Sequence, residues 1–142
     1  MEKHMLNDIS VSYQSLGNRS ISSLINTVRE GIRFNVFMIL VKKSPFNISE
    51  WSSFLHLSER TMQRYKKEDK TFEPIQSEKI LEIALLYKKG VEVFGDNERF
   101  DSWLNANNVA LGNIKPKDLL DNTFGISLLR DEIGRIEYGI LA

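Results

Sequence analysis

Apolar residues along this chain recur mostly every third or fourth position, the interval that keeps side chains on one face of a helix. Ile21, Leu24, Ile25 and Val28 make a short amphipathic stripe that Gly31 stops. Residues 34–41, Phe-Asn-Val-Phe-Met-Ile-Leu-Val, are apolar on nearly every side. Alone, that run fits a buried strand as well as a buried helix. Its helical surroundings, and the Lys42, Lys43 and Pro45 that close it, favour the helix. Ser49 and Glu50 predict the next start, because Ser caps free N–H groups and Glu suits the positive end of the helix dipole. Trp51, Phe54 and Leu55 form the inner face of that helix. After a tight connection through His56 and Leu57, Ser58 and Glu59 repeat the start signal and open a helix over residues 59–67 with Met62 and Tyr65 inward. Two short helices joined by about three residues have the form of a helix-turn-helix.

A charged link from Lys66 to Ile75, containing Pro74, follows. Ser77 and Glu78 predict the start of a long helix through Phe94, with Ile80, Ile83, Ala84, Tyr87, Val91 and Phe94 in one stripe widened by Leu81 and Leu85. A stripe that wide is expected to be buried against several partners and to join the two halves of the chain. Gly95 ends this helix, and Asp96 caps another carrying Phe100, Trp103 and Leu104. Residues 105–115 read as a loop, and Pro116 suits the first turn of a short helix. Residues 124–138 form the last helix, where Ile126, Leu129, Ile133, Ile136 and Ile140 fall at 3-4-3-4 spacing. Trp51 and Trp103 read as core anchors. Residues 1–20 are polar and serine-rich without a sustained period, the pattern of a mobile arm. No strand pattern and no long repeat emerges, so the expected fold is all-α.

Composition narrows the function. The 142 residues, 42% hydrophobic and 27% charged, suffice for one domain or two small ones with a real core. No window resembles a membrane span or a signal-peptide core, and there is no cysteine for a disulfide or thiolate metal site. A cytoplasmic protein is expected. The net charge is zero, but residues 1–76 hold 11 Lys and Arg against 8 Asp and Glu, while residues 77–142 hold 8 against 11. A slightly basic first half and a slightly acidic second half fit a nucleic-acid end and a protein-partner end.

Within the helix-turn-helix, Arg60, Gln63, Arg64 and Lys67 share one face of the second helix. Arg suits guanine and Gln suits adenine through paired hydrogen bonds. Lys66 and Lys67 can reach phosphates, and Ser58 and Thr61 complete the candidate DNA-binding set at the first turn. The competing reading is a solvated polar face. Catalytic chemistry finds no foothold: His4 and His56 have no neighbour at metal-ligand spacing, and His56 is expected to complete the turn's hydrogen bonding. Asp118, Asp121, Asp131 and Glu132 read as solvated surface or caps, not as an acid–base pair. No metal, no cofactor and no enzymatic activity are expected.

The chain's end is unusual, because termini are normally polar and frayed. Here the last helix runs apolar to Ala142, and Gly134 and Gly139 frame Arg135, Glu137 and Tyr138, groups that anchor interfaces well. Either a partner receives this end or it only closes its own core. Val91-Glu92-Val93-Phe94-Gly95-Asp96, Trp103-Leu104, Ala110-Leu111-Gly112, Pro116, Asp118-Leu119-Leu120-Asp121, Gly125 and the Gly134 to Gly139 ending occur in one order. That series resembles the toxin-binding domain of the Xre/MbcA/ParS antitoxins, whose partners are RES-domain toxins. It covers roughly half the chain. The resemblance implies an Xre-like helix-turn-helix domain over residues 21–76 and a toxin-binding domain over residues 77–142. It also implies an antitoxin that obstructs the NAD pocket of its toxin and represses its own operon, as a homodimer or a larger toxin–antitoxin assembly. Carried onto this chain, Arg135 lies nearest that pocket and pairs with acidic or polar toxin groups. Glu137 orients it or pairs across the interface, and Tyr138, Gly139, Ile140, Leu141 and Ala142 complete the contact. The alternative is a stand-alone helix-turn-helix transcriptional regulator whose C-terminal half dimerises or senses a ligand.

Overall fold

In a computed structural model, residues 18–139 are described. Most of the stretch read as an arm, and Ile140, Leu141 and Ala142 of the predicted toxin contact, lie outside them. Among the described residues the chain forms seven α-helices and two short 3-10 turns, and its extended pairings are two isolated bridges, Arg33 with Thr71 and Asn108 with Ile114. The all-α expectation is met. The chain divides into two compact units, one ending at Leu85 and the next beginning at Leu86, so the division falls inside a helix.

The first unit holds α1 (Asn18–Glu30), α2 (Phe34–Lys43), α3 (Ile48–Leu55), α4 (Glu59–Glu68) and the first turns of α5 (Pro74–Phe94). Helix α1 takes in residues 18–20, which the sequence alone had suggested to be part of the arm. The apolar run is helical, and Phe34, Val36, Phe37, Leu40 and Val41 of α2 are buried. Aromatic rings build much of this core. Phe37 meets Trp51 edge-on at 5.3 Å and Phe72 at 5.0 Å, while Phe46 meets Phe54 at 5.1 Å. Edge-to-face pairs of this kind add roughly 0.5–1.5 kcal/mol each beyond their area burial. The indole N–H of Trp51 donates to Ser44 Oγ at 3.2 Å, so the buried ring leaves no stranded donor.

Two helix starts differ from expectation. Helix α3 is capped by Asn47, not Ser49. The Asn47 side chain accepts the Glu50 N–H at 2.8 Å, and the Glu50 carboxylate accepts the Asn47 N–H at 3.1 Å. This reciprocal box satisfies two free donors where one serine would satisfy one. Helix α5 begins at Pro74, whose missing N–H costs nothing in a first turn. Ser77 is therefore inside the helix and fully buried, with its hydroxyl accepting the Ile32 N–H at 2.9 Å. Gly31 sits at φ +88°, and a Cβ there would lie 2.5 Å from the Phe72 carbonyl oxygen, so only glycine lets these segments meet.

The second unit holds the rest of α5, α6 (Asn97–Asn105), the turns Val109–Leu111 and Pro116–Leu119, and α7 (Thr123–Glu137). Leu86 and Gly90 of α5 are buried, whereas Tyr87, Val91 and Phe94 of the predicted stripe are half-buried. Gly90 admits Phe100, whose ring would be 2.0 Å from an added Cβ. Asp96 caps α6 by accepting the Arg99 N–H at 2.8 Å, as its position predicts. Trp51 is a buried anchor, but Trp103 is only half-buried and stacks on Phe100 at 5.7 Å. The Tyr87 hydroxyl donates to Asp101 at 2.9 Å, and burial with this bond pushes the phenol above its ordinary value. The stretch read as a loop is pinned by the Asn108 N–H donating to the Ile114 carbonyl at 2.9 Å. Helices α6 and α7 both pack on the Pro116–Leu119 turn. Asn122 caps α7 by accepting the Gly125 N–H at 2.7 Å.

Candidate functional site

In the first unit the geometry of α3 and α4 comes from their ends. His56, at φ 56°, is left-handed, and its N–H reaches the Ser53 carbonyl while the Leu57 N–H reaches that of Ser52. This double return terminates α3 and turns the chain. Ser58 then caps α4: its Oγ accepts the Thr61 N–H at 3.0 Å and donates to Thr61 Oγ1 at 2.9 Å. Met62 and Tyr65 point inward and are buried, which turns Arg60, Gln63, Arg64 and Lys67 outward, all exposed. Lys66, on the flank, is exposed as well. The Arg64 guanidinium lies 5.9 Å from the Tyr65 ring centroid and the Lys70 ammonium 5.2 Å from it. The outward face thus carries donors at helical spacing, while Ser58 and Thr61 are engaged in the cap.

Sequence reading missed Asp69, the left-handed residue that ends α4. Its Oδ2 accepts from Arg33 Nη2 at 2.6 Å and its Oδ1 accepts the Asn35 N–H at 3.0 Å. Arg33, the N-cap of α2, has no side-chain capping bond of its own, so Asp69 caps α2 from across the chain. The Phe34 N–H donates to the Lys70 carbonyl at 2.9 Å and fastens the same corner. The hydrogen bond from Arg33 holds the Asp69 carboxyl below its ordinary range. Aspartate in a left-handed turn after a charged helix was the available signal; its partner 34 positions away was not.

In the second unit, α7 buries Ile126, Leu129 and Ile133 and leaves Ile136 half-buried. The opposite stripe runs Phe124, Leu128, Asp131, Arg135, Tyr138, at steps of four, three, four and three. Phe124 is 88% exposed and Tyr138 77%. Glu132 departs from expectation: it is no solvated surface group but has a side chain only 4% exposed. Its Oε2 lies 3.3 Å from both Nε and Nη2 of Arg135, whose side chain is 42% exposed. Glu132, not Glu137, therefore orients Arg135, because residues three apart on a helix are neighbours. Glu137 instead accepts from Lys89 Nζ at 2.7 Å. Gly139 follows at φ +67°. Asp121 accepts from the Asn122 amide at 2.9 Å, and Asp118 is exposed. Among the described residues no cluster of three or more His, Asp or Glu could hold a metal ion, and no helix is long and apolar enough to cross a membrane.

These features define a two-part α-helical protein with a helix-turn-helix and a separate helical unit whose last helix presents an aromatic and charged stripe. Residues 23–85 match the antitoxin Xre-like helix-turn-helix domain, and residues 89–139 match the antitoxin Xre/MbcA/ParS C-terminal toxin-binding domain. Antitoxin Xre of Yersinia enterocolitica serotype O:8 / biotype 1B (strain NCTC 13174 / 8081) is 29% identical over 120 residues, covering 84% of this chain and 81% of that protein. The chain belongs to the Xre/MbcA/ParS antitoxin family.

Proposed function

We propose that this antitoxin neutralises a RES-domain, NAD-using toxin in the cytoplasm by occluding its active site with the end of α7 and the residues that follow. The observation that carries this reading is the outward stripe of α7. Phe124 and Tyr138, some 20 Å apart at a rise of about 1.5 Å per residue, are large apolar groups that its own unit leaves uncovered. Aromatic groups flanking a partly desolvated arginine are what a protein partner uses as anchors. Arg135 then stands beside the cofactor pocket, and the mechanism is steric and electrostatic exclusion of NAD.

The outward face of α4 supports a second activity of the same protein, repression of its own operon. One such helix covers little sequence, and two-fold related helices usually read half-sites about 34–36 Å apart, so the DNA-bound form is at least a dimer. The test of the main reading is co-expression of the adjoining reading frame with and without this chain, following growth and cellular NAD. Growth arrest with NAD loss, relieved by this chain, is the expected result. A neighbour that leaves NAD untouched, or that this chain does not bind, overturns it.

A further inference from the structure

Glu132 is buried on α7, its side chain only 4% exposed. A carboxylate removed from water needs a counter-charge, or it burdens the fold. Among the described residues that counter-charge is Arg135, whose Nε and Nη2 share one oxygen of Glu132 at 3.3 Å. A guanidinium carries five N–H donors in a planar fork. This side-on pairing occupies the Nε edge and leaves Nη1 and the outer N–H of Nη2 along the far edge. Arg135 is also part of the exposed stripe between Leu128 and Tyr138, so this far edge belongs to the surface that meets a partner.

We infer that Glu132 is a positioning residue that neutralises Arg135 within the antitoxin, so that the arginine enters the toxin's cleft as a hydrogen-bond donor and not as a net charge. The inference rests on the reading that the toxin docks on this end of α7. Because the pair is already neutral, the group it meets on the toxin is a neutral oxygen acceptor, such as a main-chain carbonyl. A toxin carboxylate would leave one uncompensated negative charge in a desolvated interface, which is costly. Holding the long side chain in place beforehand also lessens the rotamer freedom lost on docking.

The test is a double-mutant cycle on the full chain, measuring affinity for the toxin purified from the adjoining reading frame. Arg135→Ala is expected to weaken binding at least about tenfold, as truncating one partner of a desolvated pair does. Glu132→Gln, nearly the same shape, should weaken it about as much, since the arginine then enters a neutral site as a bare cation that must be desolvated without a counter-charge. In the Arg135→Ala background, Glu132→Gln should no longer weaken binding, because its damage passes through the arginine. Glu132→Leu, which suits a buried site, controls for folding, with thermal unfolding checked for every variant. An equal effect of Glu132→Gln in both backgrounds would make Glu132 merely structural. Tighter binding by Glu132→Gln would place a carboxylate on the toxin, and either result overturns the inference. If Arg135→Ala binds normally while the wild-type chain still neutralises the toxin, the inference fails and the antitoxin reading stands.

Discussion

Asp69 joins two helices through one carboxylate, and its ionisation therefore matters to the fold. The Arg33 hydrogen bond, aided by the Asn35 N–H, holds its pKa below the ordinary value of 3.8, with partial desolvation opposing. A depressed folded-state pKa means that protonation favours the unfolded chain. The contribution is complete above 3.8 and is lost as pH falls through the lower folded value. Asp69→Asn is expected to lower the thermal midpoint at neutral pH and to flatten its decline as the pH falls below 3.8. An unchanged acid limb would show that the carboxylate does not govern it. Two glycines of α7 give opposite expectations at the same scale. A Cβ at Gly125 would sit 2.0 Å from the Leu119 carbonyl oxygen, which is backbone and cannot swing away. Gly125→Ala should cost about 1–3 kcal/mol by overpacking. Gly134 has open space around it, so Gly134→Ala should gain roughly 0.5–1 kcal/mol from helix propensity alone. Urea denaturation of both variants checks the signs.

At the level of elements, the outward face of α4 is separable from everything that folds it. Arg60 and Arg64 are exposed, while Met62 and Tyr65 hold the helix down. Replacing both arginines with Ala should abolish operator binding in a mobility-shift titration, since each good bidentate base contact is worth about 1–3 kcal/mol. Toxin neutralisation should persist, and retained DNA binding would remove α4 from the interface. The helices themselves were legible in the sequence because apolar spacing reports which face is buried, and Asp96 and Ser58 announced their own caps. Asn47 and Pro74 were less visible, since Ser49 and Ser77 carry equal local capping propensity. Only the long-range partner of Ser77, the Ile32 N–H, decides that its hydroxyl belongs inside. Glu132 was misjudged for a similar reason: burial of a carboxylate depends on how a helix is rotated against its neighbours, which local composition does not encode.

For the molecule as a whole, the proposed DNA and toxin contacts lie in different units, so changes to one should leave the other intact. Deleting residues 137–142 removes the Lys89–Glu137 pair, a partly exposed contact worth on the order of 1 kcal/mol or less. The truncated protein should therefore unfold within a few degrees of the parent and still bind DNA, while its neutralisation of toxin falls sharply. A collapse of the fold would place this end in the core, and loss of self-association with intact neutralisation would favour the regulator. The outward face of α4 has its own safeguard in the corner where Arg33 meets Thr71 and Asp69 caps α2. That corner closes α2, α3 and α4 into a single loop, so α4 cannot fray at its far end without uncapping α2. Local openings of α4 should then be rare, and the amides of Asn35, Lys70 and Phe72 should exchange with solvent together and only through a larger unfolding of the unit. Independent, fast exchange at Lys70 would show the loop to be open.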